Sequence, residues 1–171
     1  KKNLIIQSWA YREQYGFDST ILLPANLYGP EDNFNLEASH VVPALIRKFI
    51  EAKDNNSDSV EVWGTGKATR EFLYVDDLAD ACYFLMQNYN EAGLVNIGWG
   101  DDVSIKELAL TVKEVIGFDG ELTFNTSKPD GTPRKLMDCS KIHNLGWKHQ
   151  INLEEGIASV YNEVKETELF S

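Results

Sequence analysis

The stretch Ser19–Leu23 (S-T-I-L-L) is a short apolar run that lies directly behind a helical pattern. That helix is predicted over Lys1–Tyr15, where apolar residues cover too wide a stripe for one buried face, and Gly16 is a typical helix stop. Short apolar runs of this kind are typical of strands buried inside a parallel sheet. A helix followed by such a strand predicts an α/β fold.

Helical and strand patterns keep alternating after this first strand. Pro24–Leu36, rich in Pro, Asn and Gly, is predicted to be an irregular loop that forms the edge of a site. Pro43 is typical of the first turn of a helix, which should end near Lys53. The remaining predictions are strands at Val60–Trp63, Arg70–Tyr74 and Leu94–Gly98, a helix capped by Asp76, and helices opened by capping boxes at Ser104 with Glu107 and at Asn152 with Glu155.

The composition narrows the range of ligands and compartments. With 171 residues, 43% of them hydrophobic, the chain is about one domain long and can bury a core. Its net charge of −11 argues against nucleic-acid or acidic-membrane binding, so an anionic ligand needs a local cluster of basic residues. Cys82 and Cys139 lack CxxC spacing, which predicts no disulfide framework and no metal site and fits a reducing, cytoplasmic setting. No apolar run has the length of a membrane span.

Glycine-rich phosphate-binding motifs are absent from this sequence. No G-x-G-x-x-G follows a predicted strand, and Gly64-Thr65-Gly66-Lys67 lacks the spacing of a P-loop. Either the chain binds something other than a dinucleotide, or it is part of a longer protein.

Three stretches resemble one family of nucleotide-sugar enzymes. They are Pro24–Pro30 (P-A-N-L-Y-G-P), Arg70–Asp77 (R-E-F-L-Y-V-D-D) and Ser127–Lys135 (S-K-P-D-G-T-P-R-K). The first two are similar to patterns found across the extended short-chain dehydrogenases. The third, together with Asn33–His40, resembles the GDP-L-fucose synthase family in particular, and the likeness spans nearly the whole chain.

The resemblance implies the C-terminal part of an extended Rossmann-type short-chain dehydrogenase, with the cofactor-binding N-terminal half absent from this sequence. The α/β fold should then comprise the last strands of the parallel sheet and a small α/β substrate-binding domain. Residues 1–30 and about 75–100 are expected to pack on the Rossmann sheet, and about 31–74 and 101–171 to form mostly the substrate-binding part.

The resemblance also implies an activity. The family converts GDP-4-keto-6-deoxy-D-mannose to GDP-L-fucose by epimerisation at C3 and C5 and hydride transfer from NADPH to the C4 ketone, and this chain alone is expected to be inactive. Two competing interpretations stay open: another nucleotide-sugar epimerase or reductase of the superfamily, and a non-catalytic nucleotide-sugar-binding or subunit-interface module. The wide apolar stripe of the first helix predicts a homodimer in the intact enzyme.

Two residues are expected to be catalytic. Counting back from Gln14-Tyr15-Gly16 places Lys1 on the lysine of the family's Tyr-x-x-x-Lys motif, which binds the nicotinamide ribose and lowers the tyrosine pKa. His40, just before a predicted helix, resembles the family's catalytic histidine, and histidine exchanges protons near neutral pH. The alternatives are a solvated Lys1 and a capping or core His40. The residues expected to contact NADPH are Lys1, Pro24, Ala25, Asn26, Leu27 and His40.

A diphosphate in the substrate needs fixed positive charge. The resemblance assigns substrate contacts to Lys48, Trp63, Arg70, Asp130 and Lys135. Arginine is the commoner residue at the position of Lys48, and lysine lacks the paired N–H groups of a guanidinium. Core packing for Trp63 and a simple turn for Asp130 are the alternatives. His143 and His149 are expected to be surface residues.

Overall fold

The computed structural model describes residues 2–166, so the expectations for Lys1 lie outside the described residues. The helices are α1 (Lys2–Tyr15), α2 (Val41–Asp54), α3 (Val75–Asn88), α4 (Ile105–Ile116), α5 (Ser140–Asn144) and α6 (Leu153–Glu166). The strands are β1 (Ile21–Pro24), β2 (Asn26–Tyr28), β3 (Ser59–Trp63), β4 (Thr69–Arg70), β5 (Phe72–Tyr74), β6 (Leu94–Ile97), β7 (Val103–Ser104), β8 (Glu121–Asn125) and β9 (Arg134–Lys135).

Most of the strand pairs are parallel. β1 pairs with β6, β2 with β5 and β3 with β8, each in parallel. The short strand β4 lies between β7, to which it is antiparallel, and β9, to which it is parallel. Because helices connect these parallel strands, the predicted α/β class is confirmed.

Two strand predictions are wrong in detail. The predicted loop Pro24–Leu36 contains the strand Asn26–Tyr28, which forms because these residues pair in register with Phe72–Tyr74. The predicted single strand Arg70–Tyr74 is interrupted at Glu71, which is buried. The two pieces on either side of Glu71 therefore belong to different sheets.

Side-chain caps define the starts of α4 and α6. The Ser104 hydroxyl accepts a hydrogen bond from the Glu107 amide, and the Glu107 carboxylate accepts one from the Ser104 amide. The helix ends at Gly117 in the left-handed region, as predicted. The second box is also confirmed, since Asn152 Oδ1 accepts from the Glu155 amide at 2.9 Å. The predicted cap at Asp76 is wrong: the N-cap of α3 is Tyr74, and Asp76 lies in the first turn.

Two apolar clusters form the core. The larger lies between α2, α4, α6 and the β3–β8 pair and includes Ile46, Phe49, Leu108 and Ile157. The smaller surrounds β6 and α3. Its fully buried members are Ala81, Leu85, Val95, Ile97 and Ile142.

Two buried carboxylates join loops to these clusters. Glu71 Oε1 accepts from the Gly100 amide at 2.7 Å, and Glu71 Oε2 accepts from the Met137 amide at 3.1 Å. Asp77 accepts from the amides of Gln150 and Ile151. Backbone N–H groups thus satisfy acids that would be costly to bury alone.

Most of the apolar residues of helix α1 are exposed. None of its described residues is buried, and its large exposed side chains are Leu4, Ile6, Trp9, Tyr11 and Tyr15. No helix within residues 2–166 combines the length and apolar character that crossing a membrane requires.

A glycine in α6 makes room for a buried tyrosine, which gives a stability prediction. A Cβ on Gly156 would lie 2.1 Å from Tyr28 Oη, and Tyr28 is buried. We expect Gly156→Ala to destabilise the fold by roughly 1–3 kcal/mol, because the tyrosine ring must move within a packed core. Thermal melting measures the effect. Asn162→Ala, on the exposed side of the same helix, should change the melting temperature little, and equal stability of the two variants would contradict this packing.

Candidate active site

A cleft of about 1230 Å³ runs beside β1 and β2. Its walls include Pro24–Leu27 from these strands, His40 from the start of α2, and Arg70 from β4. The structure therefore brings together the candidate catalytic histidine, all four described candidate NADPH-contacting residues of the loop, and one candidate diphosphate ligand. Sites of this kind form beside the carboxyl ends of parallel strands in α/β folds.

The Pro24–Leu27 segment is held by hydrogen bonds to its neighbours. The Ala25 amide donates to the Ile97 carbonyl at 2.9 Å, beyond the end of the β1–β6 pair. The Asn26 side-chain amide donates to the Glu71 carbonyl at 2.7 Å. Both bonds fix the backbone of this segment where it lines the cleft.

His40 precedes α2 with an exposed side chain. The residue occupies the N-cap position in an extended conformation, but its ring makes no capping hydrogen bond. The capping and core interpretations of His40 are therefore wrong. Next to it, the Ser39 hydroxyl is buried and has no hydrogen-bond partner within residues 2–166. The exposed imidazole is available to a ligand in the cleft.

Arg70 and Lys135 lie side by side. They are register partners in the parallel pair β4–β9. Arg70 Nη1 donates to the Thr69 carbonyl at 2.7 Å, and Arg70 Nη2 lies 3.5 Å from the Asp130 carbonyl. Lys135 is exposed. The strand register thus places these two basic residues next to one another, with Arg70 in the wall of the cleft.

Trp63 lies close to two lysines. Lys48 Nζ is 5.1 Å and Lys128 Nζ is 5.0 Å from the centre of the indole ring, within cation–π range. Lys48 also donates to the Glu61 carbonyl at 2.9 Å, and burial lowers the pKa of its ammonium. Trp63 is 53% exposed, so the core-packing interpretation is wrong.

Asp130 bonds within the protein. Its Oδ1 accepts from the Thr65 amide at 2.6 Å and its Oδ2 accepts from the Thr65 hydroxyl at 2.7 Å. These hydrogen bonds lower the pKa of the carboxyl group. A Cβ on Gly64 would lie 2.3 Å from Asp130 Oδ1, so the close approach requires glycine there. Asp130 therefore anchors its turn to the loop after β3.

The proposed substrate contacts fall into two groups. Lys48, Trp63, Asp130 and Lys135 do not line the cleft that contains His40, whereas Arg70 does. Arg70 also contacts Asp130 and is the register partner of Lys135, so it connects the cleft to the other four residues. We call these four residues together with Arg70 the basic group.

Three functional candidates were missed from the sequence. Lys128 stands in the quoted Ser127–Lys135 motif, but only the structure puts it over Trp63. Asp102, which binds Thr69 and Arg134, carries no motif signal. Glu71 follows Arg70 in the second motif, which could have indicated it.

The remaining histidines and the cysteines are not part of this site. His143 and His149 are partly buried rather than fully exposed: His143 Nε2 lies 3.3 Å from the Gly98 carbonyl, and the His149 ring meets Trp99 edge to face. Cys82 and Cys139 are free thiols. Within residues 2–166, no group of His, Cys, Asp and Glu side chains is arranged to hold a metal ion.

The parallel strand pairs, their connecting helices and the cleft beside them define a Rossmann-type α/β protein. The chain belongs to the NAD dependent epimerase/dehydratase family, whose sequence profile matches residues 2–98.

Several similar proteins are named as synthases or reductases of GDP-linked sugars. A probable GDP-L-fucose synthase 1 from Oryza sativa subsp. japonica is 60% identical over 152 residues, covering 89% of this chain and 46% of that protein. A GDP-L-fucose synthetase from Naegleria fowleri, bound to NADP, superposes with a TM-score of 0.90 at 32% identity, covering 100% of this chain and 56% of that one. A GDP-6-OMe-4-keto-L-xylo-heptose reductase from C. jejuni superposes with a TM-score of 0.87 at 43% identity, covering 96% and 59%. The chain thus spans about half the length of the curated relatives it matches.

Proposed function

We propose that this chain is part of an enzyme that converts GDP-4-keto-6-deoxy-D-mannose to GDP-L-fucose by 3,5-epimerisation and NADPH-dependent reduction of the 4-ketone. The observation that carries the proposal is a single cleft lined by His40 and the Pro24–Leu27 segment, with Arg70 at the junction to the basic group. The similarity to GDP-L-fucose synthases supports the choice of substrate.

NADPH would occupy the cleft with its nicotinamide end against Pro24–Leu27. The fit is supported by a backbone segment that is held in place and open to a cleft of about 1230 Å³. When bound, the cofactor supplies the hydride that reduces C4. Lys1 resembles the lysine of the family's Tyr-x-x-x-Lys motif. In this role it would bind the nicotinamide ribose and stabilise the ionised form of the motif's tyrosine. The basic residues and Trp63 are left for the sugar nucleotide.

His40 performs proton transfer at the sugar carbons. Epimerisation at C3 and C5 needs removal of a proton next to the ketone and return of a proton to the other face. An exposed imidazole in the cleft wall, free of a capping bond, suits the return step. In this proposal His40 is the acid that protonates C3 and C5 and takes up a proton from water between the two steps, while a second group of the enzyme acts as the base that accepts the proton removed from each carbon.

The diphosphate binds the basic group. Arg70, Lys48 and Lys135 supply positive charge, and Trp63 presents an exposed indole to the sugar or base. Asp130 contributes by anchoring the loop that carries Lys128 and Lys135. Local positive charge reconciles an anionic substrate with a chain of net charge −11.

The proposal also assigns cofactor binding and substrate binding to different parts of the chain and places the protein in the cytoplasm. Residues 1–30 and about 75–100 pack on the cofactor-binding sheet, and about 31–74 and 101–171 form mostly the substrate-binding part. The smaller apolar cluster is built mainly from residues between 73 and 97, and Cys139, Ile142 and Trp147 also pack into it. The two free thiols are compatible with a reducing, cytoplasmic setting.

The full-length gene product is expected to be a homodimer through α1. Leu4 is 68%, Ile6 61% and Tyr15 72% exposed, a set of apolar side chains that a partner would cover. Light scattering at micromolar concentration should give the mass of a dimer, and Ile6→Glu should shift it toward the monomer. Glu13→Gln, on the same helix, is the control. A monomeric wild-type protein would contradict the interface.

Assay of the full-length gene product with GDP- and dTDP-linked 4-keto-6-deoxy sugars tests the activity. We expect turnover of the GDP-linked sugar with NADPH, and deuterium from D₂O at both C3 and C5 of the product. Preference for the dTDP-linked sugar would indicate another member of the superfamily. Lack of turnover with both substrates would favour the non-catalytic binding module.

A second candidate function is reduction of a GDP-4-keto sugar without epimerisation. It is favoured by the 43% identity to the C. jejuni heptose reductase. The isotope measurement separates the two candidates, since a pure reductase turns over the substrate without placing deuterium at C3 and C5.

A further inference from the structure

One acidic side chain joins three segments beside the basic group. Asp102, just before β7, accepts a hydrogen bond from the Thr69 hydroxyl at 2.6 Å. It also accepts both arms of Arg134, from Nε at 2.7 Å and from Nη2 at 3.2 Å. Its side chain is only 9% exposed. The carboxylate therefore ties β4 and β9 to the chain segment that enters β7.

The next step along these strands places two cations together. Thr69 and Arg134 are register partners in β4–β9, and the following pair is Arg70 and Lys135. Register partners in a parallel ladder share a face of the sheet and lie about 4.8 Å apart. A link that fixes the first pair therefore fixes the spacing of the second.

The backbone alone gives this register little support. β4 and β9 are two residues long, and the Thr69 amide donates to the Pro133 carbonyl at 2.9 Å. β9 is exposed at the edge of its sheet. A two-armed guanidinium–carboxylate pair is directional, so it can define a register that such short strands leave weakly specified.

The paired cations lack a carboxylate of their own. Within residues 2–166 the ion pairs join Arg12 to Asp18, Arg47 to Glu51 and Arg134 to Asp102, and none includes Arg70 or Lys135. Two adjacent cations repel one another unless an anion lies between them. A group with two negative charges that contacted both side chains would relieve this repulsion.

We propose that Asp102 is a positioning residue for substrate binding, which holds Lys135 beside Arg70 through Arg134 and Thr69 so that both cations contact one diphosphate. The inference rests on the proposed function, which assigns these cations to the sugar nucleotide. Asp102 itself, already bonded to two side chains and negatively charged, does not contact the diphosphate.

The test uses the full-length gene product with Asp102→Asn, Arg134→Gln and the double variant. Calorimetric titration with GDP and steady-state kinetics with GDP-4-keto-6-deoxymannose are the measurements. Each single variant should weaken GDP binding and raise KM about tenfold while kcat changes by less than about twofold, because ground-state contacts to a remote group are lost. The double variant should bind no more weakly than the weaker single variant, since both changes break one link. Asp119→Asn, an exposed carboxylate beyond the end of α4, should behave like wild type.

The outcomes separate this inference from the function it rests on. If Lys135→Ala weakens GDP binding but Asp102→Asn and Arg134→Gln do not, the positioning role is wrong and the diphosphate site stands. If Arg70→Ala and Lys135→Ala both keep wild-type GDP affinity, the diphosphate site is wrong and the inference falls with it. A lower melting temperature with unchanged KM would show that Asp102 serves stability alone. Should Asp102→Asn fail to fold, Arg134→Gln, which alters a 65% exposed side chain, carries the same test.

Discussion

Replacement of His40 by glutamine in the full-length gene product is expected to abolish epimerisation and leave NADPH affinity largely intact. The imidazole is exposed in the cleft wall and makes no capping bond, so its removal costs the fold little. Glutamine keeps similar size and hydrogen-bonding groups but cannot exchange protons near neutral pH. Loss of a general acid typically costs 100-fold or more, and we expect at least ~100-fold slower epimerisation here.

Isotope incorporation measures the His40 effect directly. Deuterium uptake from D₂O at C3 and C5 reports epimerisation, and fluorescence titration reports NADPH binding. His149→Gln is the matched control, because His149 packs against Trp99 and is not among the residues that line the cleft. Unchanged deuterium uptake in His40→Gln would remove His40 from the proton-transfer step. If His40→Gln lost NADPH affinity but kept its deuterium uptake, His40 would be a cofactor-binding residue only.

Features encoded by neighbouring residues could be predicted from the sequence. The two capping boxes and the stop at Gly117 depend on side chains within a few positions of each helix end, and all three formed as predicted. Helix α2 begins two residues before Pro43, which is compatible with a proline in the first turn. Local hydrogen bonds and fixed backbone angles decide these features before the chain has packed.

Features that depend on distant partners could not be predicted. Asn26–Tyr28 lies in a stretch rich in Pro, Asn and Gly, and it forms a strand because Phe72–Tyr74 lies beside it. Glu71 interrupts what would be one strand, because its side chain turns inward and accepts hydrogen bonds from the amides of Gly100 and Met137. Nothing in the spacing along the chain reveals such long-range pairing.

The candidate site also has features that the sequence predicts and features that depend on the fold. The motifs identified Arg70 and Lys135 as candidates, but their adjacency follows from the β4–β9 register. The group around Trp63 gained Lys128 because a loop after β8 reaches over β3. Residue type could be predicted from the motif, whereas the distances between residues required the fold.

Arg70→Ala is expected to raise the KM for the GDP-sugar by about 30-fold, equivalent to roughly 2 kcal/mol, because a charge-assisted contact to phosphate is lost. Arg70 is the residue shared by the cleft and the basic group. Its bonds inside the protein go to the carbonyls of Thr69 and Asp130, and the second is long at 3.5 Å. The fold therefore loses little when the guanidinium is removed.

The Arg70→Lys variant tests whether binding requires the guanidinium group or only its positive charge. Lysine keeps the positive charge but not the planar pair of N–H groups, so its KM should lie between those of wild type and Arg70→Ala. Steady-state kinetics and thermal melting of the three proteins are compared under the same buffer and salt, because exposed charges are screened by ions. A structural role for Arg70 predicts the reverse pattern, with a lower melting temperature and a normal KM. That pattern would move the diphosphate contact from Arg70 to the lysines beside Trp63, where Lys48 and Lys128 already lie near one ring.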